Sequence, residues 1–382
     1  MYSEKIVQYN FPTTIRFGPG SSKELGDYLK KNDMRRPLIA TDPLVAGLPF
    51  FKEIIADLTR KGISPEVFDS IHKNPVKSDV YKGADAFDAG SCDGIVGIGG
   101  GAAIDVARAI VLRIHHREDL FKYDDLIGGD VFVTNDVPHF VTIPTTAGTG
   151  SEVGRSAIIA DDETHQKKIL FSPKLLARII FADPLLTMDL PAHVTAATGM
   201  DALTHNMEAF LAKMSHPMAE GIALEGMTLI AKSLEKAVNR PDLESRSQMM
   251  IASLMGAVAF QKGLGVVHSL AHPLSALLDI HHGLANAVNI PYGMQFNIAG
   301  FEGKFRRIAR TLDLKDESGD AVVKYLFELN ERIKIPRQLK EIGVKQEHVD
   351  TLADLAFADF AHPNNPKPVT REDFRSLYQK AL

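Results

Sequence analysis

Short apolar segments alternate with longer amphipathic segments through the first half of this 382-residue chain, and the alternation stops near residue 186. Residues 37–42 and 93–99, for example, are apolar runs with strand character, and each is followed by a segment with helical periodicity. Such alternation is typical of a parallel sheet with helices on both faces. Beyond it the segments show helical patterns only. The sequence therefore predicts an α/β domain at 1–186 and an all-helical domain at 187–382.

Local capping patterns predict where two helices begin. Ser21 or Ser22, which follow the turn at Gly18, are placed to cap a helix that runs through Leu29. The segment Thr370-Arg-Glu-Asp resembles a capping box and precedes the last helix. Both patterns indicate helix starts that need no distant partner.

The bulk composition is that of an ordinary globular protein with two domains, at 45% hydrophobic and 24% charged residues. A net charge of −5 lacks the strong basic excess of a general nucleic-acid binder. The single cysteine, Cys92, excludes an internal disulfide and fits a reducing compartment. No apolar run reaches the roughly 18 residues of a membrane span, and residues 1–10 lack the apolar core of a secretory signal. We therefore expect a cytoplasmic protein that binds neither nucleic acid nor membrane.

Histidines are concentrated in residues 263–286, which hold four of the chain's 14. His268 and His272 are four residues apart and share one face of a predicted helix, and the same spacing separates Asp201 from His205 upstream. One carboxylate and several imidazoles from two helices predict a divalent metal site. Because thiolates usually build structural sites, a site for chemistry is favoured. Spacing alone leaves open which of the four histidines take part.

Two glycine-rich segments follow predicted strands. Residues 97–105 open a helix and satisfy the weak pattern G-x-G-x-x-A, which suits a phosphate at a helix N-terminus. The acid that would bind a ribose is better matched by Asp42, at an upstream strand end, than by residues 116–119. Residues 143–152 carry small hydroxyl residues and glycines that suit phosphate and ribose groups. Together they predict a dinucleotide-binding sheet with an uncommon topology.

Four segments, residues 99–105, 144–152, 199–205 and 263–286, together give the sequence a resemblance to the iron-containing (group III) alcohol dehydrogenase family. The resemblance extends over nearly the whole chain. It implies a dehydroquinate synthase-like fold, with an N-terminal parallel-sheet nucleotide-binding domain and a C-terminal helical domain that binds metal. It also implies a homodimer or a higher homo-oligomer.

The resemblance also implies the residues of the site. It names four ligands for Fe(II), or alternatively Zn(II): Asp201, His205, His268 and His282. His272 matches a histidine beside the metal that does not ligate it, and we expect it to relay the substrate proton. For NAD it names Asp42, Gly99, Gly100, Gly101, Asp105, Thr145, Thr146, Thr149 and Lys167. Lys168 is adjacent to Lys167, which leaves that register open.

Several positions depart from the family pattern. Ala102 and Arg108 replace a usual serine and lysine, Ser275 replaces a glycine, and His281 stands where proline is typical. These changes leave the metal chemistry intact but leave substrate preference open, together with the roles of His281 and Ser275.

The expected function is NAD(H)- and divalent-metal-dependent interconversion of a primary alcohol and an aldehyde. One alternative is a relative that acts on a polyol or a hydroxyacid, of the glycerol or 4-hydroxybutyrate type. A carboxylate substrate would need a basic residue, for which Arg155 is a candidate; the alternative for Arg155 is a surface salt bridge. A more distant alternative is a dehydroquinate synthase-like lyase, which regenerates its cofactor instead of releasing NADH.

Overall fold

The structure is a computed structural model that describes residues 11, 13–164 and 166–382. The expectation about a secretory signal concerns residues 1–10 and lies outside this part. The described residues form two compact units, 13–146 with Gly150–Asp189, and Phe11 with Ala147–Thr149 and Leu190–Leu382. The chain passes between units after Asp189, whereas the predicted boundary lies between 186 and 187; that boundary stays a prediction.

The first unit contains a parallel sheet of six strands in the order β1-β8-β5-β4-β2-β3. These strands are β1 (Thr14–Phe17), β2 (Pro37–Ala40), β3 (Glu66–Phe68), β4 (Gly94–Gly99), β5 (His139–Pro144) and β8 (Ile179–Ala182). A separate antiparallel pair consists of β6 (Ser156–Ala160) and β7 (Lys167–Phe171). Because parallel strands align their carboxyl ends, the segments that follow β2, β4 and β5 meet at one sheet edge.

Five helices belong to this unit: α1 (Leu25–Lys31), α2 (Pro43–Gly47), α3 (Pro49–Arg60), α4 (Lys77–Ala89) and α5 (Gly101–His115). Successive residues of β4 point to opposite faces of the sheet, so this strand contacts helices on both. Val96 and Ile98 join a core with residues of α1 and α3. Gly97 faces the other way, where a Cβ atom would lie 2.9 Å from the Cβ atom of Ala107 on α5. The predicted α/β class with a parallel sheet is confirmed.

The second unit is helical in its described residues. Its helices are α6 (Ala192–Leu211), α7 (Pro217–Asn239), α8 (Leu243–Ala259), α9 (Val266–Leu278), α10 (His282–Asn297), α11 (Glu302–Thr311), α12 (Gly319–Arg332), α13 (Val349–Phe357) and α14 (Arg371–Ala381). Every residue of α6 from Thr195 to Leu211 is buried, so α6 is the central helix of this unit.

Two glycines allow the neighbouring helices to approach α6 closely. A Cβ atom on Gly226 of α7 would lie 2.1 Å from Asn206 Oδ1, and one on Gly256 of α8 would lie 2.7 Å from Asn206 Nδ2. Asn206 itself donates to the carbonyl oxygens of Ala202 and Ala252, at 2.8 and 3.1 Å. The amide therefore ties α6 to α8 while filling the space that the two glycines leave.

The two capping predictions had different outcomes. The capping box at Thr370 is confirmed, because its hydroxyl and the Asp373 carboxylate each accept from the other's backbone N–H. The serine cap is wrong, because Ser21 and Ser22 lie inside a 3₁₀ turn that begins the helix. The cap comes from Asp183, whose carboxylate accepts from Gly20 N, Ser22 N and Ser22 Oγ.

No single helix among the described residues has both the length and the apolar composition to cross a membrane. One bent pair of segments, Leu243–Lys262 and Val266–Leu278, meets those two criteria jointly, with a bend of 107° between them.

Candidate active site

Three predicted ligands meet in the interior of the helical unit. Asp201 and His205 lie one turn apart on α6, and His268 lies in the first turn of α9. One donor atom from each is within 4.8 Å of the other two, and all three side chains are buried. Each is at most 5% exposed. The spacing of four residues on α6 therefore points both side chains toward α9.

The fourth predicted ligand, His282, is the first residue of α10 and reaches the same carboxylate. Asp201 Oδ1 lies 3.6 Å from His282 Nε2 and 3.9 Å from His205 Nε2. In a tetrahedral site with bonds of about 2.1 Å, ligand atoms lie about 3.4 Å apart. These two separations exceed this by a few tenths of an ångström, and the donor atoms of Asp201, His205 and His268 lie within 4.8 Å of one another, so a divalent ion would draw the carboxylate and the three imidazoles closer together.

Glu208, on α6, orients His268 and the start of α9. Its Oε2 accepts from His268 Nδ1 at 2.6 Å and from Gly265 N at 3.1 Å, and Oε1 accepts from Val267 N at 2.7 Å. The carboxylate thereby satisfies backbone N–H groups that have no partner within the helix. With Nδ1 donating to Glu208, Nε2 keeps its lone pair and faces Asp201 and His205, as ligation requires.

The charge state of the imidazoles follows from burial and from the carboxylates. Burial lowers the pKa of His205 to about 4, although Asp201 opposes the shift. Burial also acts to lower the pKa of His268, but the hydrogen bond and charge of Glu208 more than offset it, so that pKa is raised. Neutral His205 suits a metal, since only the unprotonated nitrogen binds one.

His272 lies one turn after His268 and beside the donor set. Its ring stacks on His282 with centroids 5.3 Å apart, and its Nδ1 pairs with Asp359 Oδ2 at 2.8 Å. Asp359 also accepts from Ser269 Oγ at 2.6 Å, so the carboxylate is held from two residues of α9. Burial would raise the pKa of Asp359, but the His272 charge and these hydrogen bonds hold it far below its usual range. The Phe360 ring also stacks on His272, with centroids 5.3 Å apart.

In the α/β unit, the predicted dinucleotide residues lie at the carboxyl edge of β2, β4 and β5. Thr145 N donates to Gly99 O at 3.0 Å, and a Cβ atom on Gly100 would lie 3.4 Å from Thr146 Oγ1. Gly99 has a φ of 153°, which favours glycine. Asp42 caps α2 through Oδ1, and its Oδ2 would lie 3.4 Å from a Cβ atom on Gly99. The structure thus brings these loops together, with Gly101 opening α5.

The other predicted cofactor residues are placed differently. Asp105 Oδ1 accepts from Ser151 Oγ at 2.5 Å and pairs with Arg108, while Oδ2 accepts from Ile158 N. Its carboxylate is therefore engaged inside the protein. Lys168 forms an ion pair with the buried Asp124 at 3.4 Å. The charge of Lys167, its neighbour on β7, acts to lower the pKa of Asp105.

Thr149 belongs to a short segment, Ala147–Thr149, that is grouped with the helical unit. A Cβ atom on Gly148 would lie 2.6 Å from Thr198 Cβ and 2.8 Å from Thr198 O, so only glycine fits against α6. A hydrogen bond with the Gly148 backbone acts to raise the pKa of His205, against the lowering that burial causes. The second glycine-rich segment therefore contributes to the surroundings of the proposed metal ligands as well as to the sheet edge.

Comparison with known proteins places these features in a family. The profile described as "Iron-containing alcohol dehydrogenase" matches residues 12–184, and that described as "Fe-containing alcohol dehydrogenase family, C-terminal" matches residues 195–382. The chain belongs to the iron-containing alcohol dehydrogenase family.

Individual relatives cover nearly the whole chain. The 4-hydroxybutyrate dehydrogenase of Cupriavidus necator is 36% identical over 380 residues, which are 97% of this chain and 98% of that protein. The NAD-dependent methanol dehydrogenase of Bacillus methanolicus is 33% identical and covers 99% of this chain and 100% of its own. The crystal structure of a 1,3-propanediol oxidoreductase superposes with a TM-score of 0.95 at 32% identity, covering 99% of this chain and 100% of its own. This iron-containing alcohol dehydrogenase family member is accordingly an oxidoreductase, with the family's fold.

The sequence reasoning missed two site residues and left two others without a role. Glu208 stands seven residues after Asp201, a spacing that returns to the same helix face and could have signalled it. Asp359 has no local signal, because it is 87 residues from His272. His281 caps α10 through Nδ1, which accepts from Leu284 N at 3.4 Å. Ser275 is buried on α9, and its hydroxyl has no hydrogen-bond partner among the described residues.

Proposed function

We propose that this chain interconverts a primary alcohol and an aldehyde with NAD(H) and a divalent metal. The observation that carries the proposal is the convergence of one buried carboxylate and three imidazoles in the helical unit. Family membership supports the reaction class, and the name of the Bacillus methanolicus relative supports NAD. The metal is Fe(II) on the strength of the family, and the same donor set also accepts Zn(II).

Asp201, His205, His268 and His282 are the proposed ligands. A divalent ion bound there supplies Lewis-acid chemistry, which favours the alkoxide over the alcohol and polarises the aldehyde carbonyl. The helices contribute preorganisation, since three of the four ligands lie on α6 and α9, which Glu208 joins. Because the ligands are fixed before substrate arrives, little reorganisation accompanies the reaction.

His272 is the proposed proton carrier for the substrate hydroxyl. With Nδ1 held by Asp359 at 2.8 Å, Nε2 is the ring nitrogen left to receive a proton. Ring contacts with His282 and Phe360, each with centroids 5.3 Å from His272, restrict the plane of the imidazole. Asp359 is thus a positioning residue for His272, and it also stabilises the ring when it carries a proton.

The NAD-binding proposal assigns direct contacts to the residues at the edge of the sheet. Gly99, Gly100 and Gly101 allow a pyrophosphate to approach the backbone at the start of α5. Asp42 Oδ2 beside Gly99 is placed to accept from a ribose hydroxyl, and its charge would repel the 2′-phosphate of NADP. The hydroxyls of Thr145, Thr146 and Thr149 supply further hydrogen bonds.

The roles proposed for Asp105 and Lys167 rest on which nearby side chains are already engaged. We assign Asp105 the task of holding Ser151 and Ile158 next to α5, because its carboxylate is already engaged there. Lys167 is preferred over Lys168 for the cofactor, because Lys168 pairs with Asp124 on another part of the unit.

A hydroxyacid is the second candidate substrate, and one observation favours it. Arg155 has its guanidinium 5.5 Å from the Phe171 ring centroid and no ion pair with a carboxylate among the described residues. Burial lowers its pKa, so the charge lacks the compensation that a surface salt bridge would give. The Cupriavidus necator relative, named for 4-hydroxybutyrate, supports the same class.

The proposal includes a homo-oligomer in the cytoplasm. Among the residues that the structure describes, strand β1 lies at one end of the sheet and pairs with β8 alone, so its other edge is the proposed contact with a second copy. Light scattering on the purified protein would show a monomer if this part is wrong. The cytoplasmic location stays a prediction that cell fractionation tests.

The decisive experiment combines metal analysis with a substrate screen. Protein purified without chelator or added metal should contain about one divalent ion per chain, and Asp201→Asn should contain far less. NADH absorbance across C1–C6 alcohols, diols and hydroxyacids then identifies the substrate class. Arg155→Gln should reduce kcat/KM for 4-hydroxybutyrate and leave that for 1,3-propanediol unchanged if a hydroxyacid is the substrate.

Steady NADH accumulation separates this function from a lyase. A dehydroquinate synthase-like enzyme regenerates its cofactor in each turnover, so substrate consumption without NADH release would overturn the proposal. A wild-type protein that binds no divalent ion would overturn it as well.

A further inference from the structure

One amide, that of Asn286 on α10, contacts three of the four proposed ligands. Its Nδ2 lies 2.7 Å from Asp201 Oδ1, 3.1 Å from His282 Nε2 and 3.3 Å from His268 Nε2. The side chain is fully buried, one turn after His282. These contacts place a neutral hydrogen-bond donor against the atoms proposed to bind the ion.

The carboxylate and imidazole acceptors differ in how many partners a single atom can take. A carboxylate oxygen has more than one lone pair, so Asp201 Oδ1 can accept from Asn286 and still ligate a metal. An imidazole nitrogen has a single lone pair in the ring plane. His268 Nε2 and His282 Nε2 can therefore bind either an amide hydrogen or an ion, but not both.

We propose that Asn286 is a placeholder donor, which holds the ligand set together when no ion does and yields the two imidazoles when an ion binds. The proposal rests on the proposed metal centre. Buried acceptors that lack a donor are costly, and mutual repulsion of lone pairs would spread the ligands apart. The two hydrogens of Asn286 Nδ2, divided among the three acceptors, reduce that cost in the metal-free protein, and the contacts to the two imidazoles weaken metal binding because they must be given up.

A direct test compares Asn286→Ala with the wild type in metal-free and metal-loaded forms, with Zn²⁺ alone as the probe. Removing the placeholder raises the free energy of the metal-free form more than that of the loaded form. The dissociation constant for Zn²⁺, measured by competition with a fluorescent chelator, should therefore fall by roughly fivefold or more. The rise in thermal midpoint on adding Zn²⁺ should be larger than in the wild type.

Asn289 provides a matched control on the same helix. It is also fully buried, donates to Ala285 O at 2.8 Å and has an Oδ1 without a hydrogen-bond partner among the described residues. The contacts described for it include none of the four proposed ligands. Asn289→Ala should lower the thermal midpoint of both forms equally and leave the Zn²⁺ dissociation constant unchanged.

The outcomes separate the possible roles of Asn286. Weaker Zn²⁺ binding by Asn286→Ala would mean that the amide ligates the ion through Oδ1, which has no partner among the described residues. Unchanged binding would mean a purely structural role, and either result overturns the proposal. A wild type that binds no Zn²⁺ would remove the proposed metal centre, and the inference with it.

Should the alanine variant fail to fold, Asn286→Asp keeps the shape of the side chain. Its carboxylate would face Asp201 at about the same 2.7 Å, a repulsion that a divalent ion relieves. Zn²⁺ should then bind roughly tenfold tighter or more. Binding equal to or weaker than that of the wild type would contradict the proposal.

Discussion

Replacement of Glu208 by glutamine removes a charge without changing shape. The carboxylate accepts from Gly265 N, Val267 N, His268 N and His268 Nδ1 at 3.1, 2.7, 3.3 and 2.6 Å. Both oxygens face N–H donors, so the NH₂ group of glutamine must point at a donor in either orientation. The variant loses charge-assisted hydrogen bonds, each worth about 1.5–3 kcal/mol, and keeps some weaker neutral ones. We expect the free energy of unfolding of the metal-free protein to fall by about 2–4 kcal/mol.

The same substitution should weaken metal binding through His268. If the glutamine NH₂ donates to Nδ1, the ring proton moves to Nε2, which then cannot ligate. If the carbonyl accepts from Nδ1, the ligand is less basic than with a carboxylate behind it. Loss of such a supporting partner typically costs about 10–100-fold in metal affinity. The assays are urea denaturation of the metal-free protein and chelator competition with Zn²⁺.

Glu220 supplies a control for the loss of a carboxylate in the same unit. It pairs with Lys262 at 3.0 Å and with Lys304 at 3.2 Å, and no proposed metal ligand is among its described ion-pair partners. Glu220→Gln should lower stability and leave the Zn²⁺ dissociation constant as it is. A Glu208→Gln variant that binds Zn²⁺ within twofold of the wild type would refute the argument that this carboxylate sets the tautomer of His268.

Three further predictions follow from other contacts. Gly148→Ala places a Cβ atom 2.6 Å from Thr198 Cβ and should destabilise the protein by about 1–3 kcal/mol in urea denaturation. As a control, Gly221→Ala on the exposed face of α7 meets open space and should stabilise the protein by about 0.5–1 kcal/mol. Asp42→Asn keeps the α2 cap but removes the charge, so the ratio of kcat/KM for NAD to that for NADP should fall roughly tenfold or more; an unchanged ratio would contradict the ribose assignment. Burial raises the pKa of Glu152 to about 7 from 4.5, so the folded state holds a proton that the unfolded state releases, and stability falls as pH rises between those values. Glu152→Gln should remove about 3 kcal/mol of that pH dependence, measured from unfolding curves at pH 4.5 and pH 8.

The pattern of apolar residues predicted the fold class, because the burial of each strand or helix determines where apolar residues occur in the sequence. Strands β2 and β4 are buried along their whole length, which produces continuous apolar runs in the sequence. The helix starts were predictable where the cap is local, as at Thr370, and not where it comes from a distant strand end, as Asp183 does for Ser22. A cap that is 161 residues away leaves no local pattern.

The site residues were likewise predictable where their partners are close in sequence. Pairs on one helix, such as Asp201 with His205, were visible from their spacing of four residues. The choice of His282 over His281 needed the family resemblance, and the structure shows one facing Asp201 and the other capping α10. Asn286 has the helical spacing from His282 but an ordinary residue type, so nothing in the sequence distinguished it from Asn289.

The close approach at Gly226 and Gly256 has a consequence for how this enzyme can diversify. Because Asn206 fills the gap between those helices and α6 is buried from Thr195 to Leu211, a shift of α6, which carries Asp201 and Glu208, would require α7 and α8 to repack. Mutations that alter substrate scope must therefore accumulate elsewhere. Exposed side chains that do not pack on α6 can be exchanged without disturbing the contacts of Asn206. Natural variation in the family should then be frequent at exposed positions and sparse around the anchored helix, a contrast that an alignment of family members would reveal.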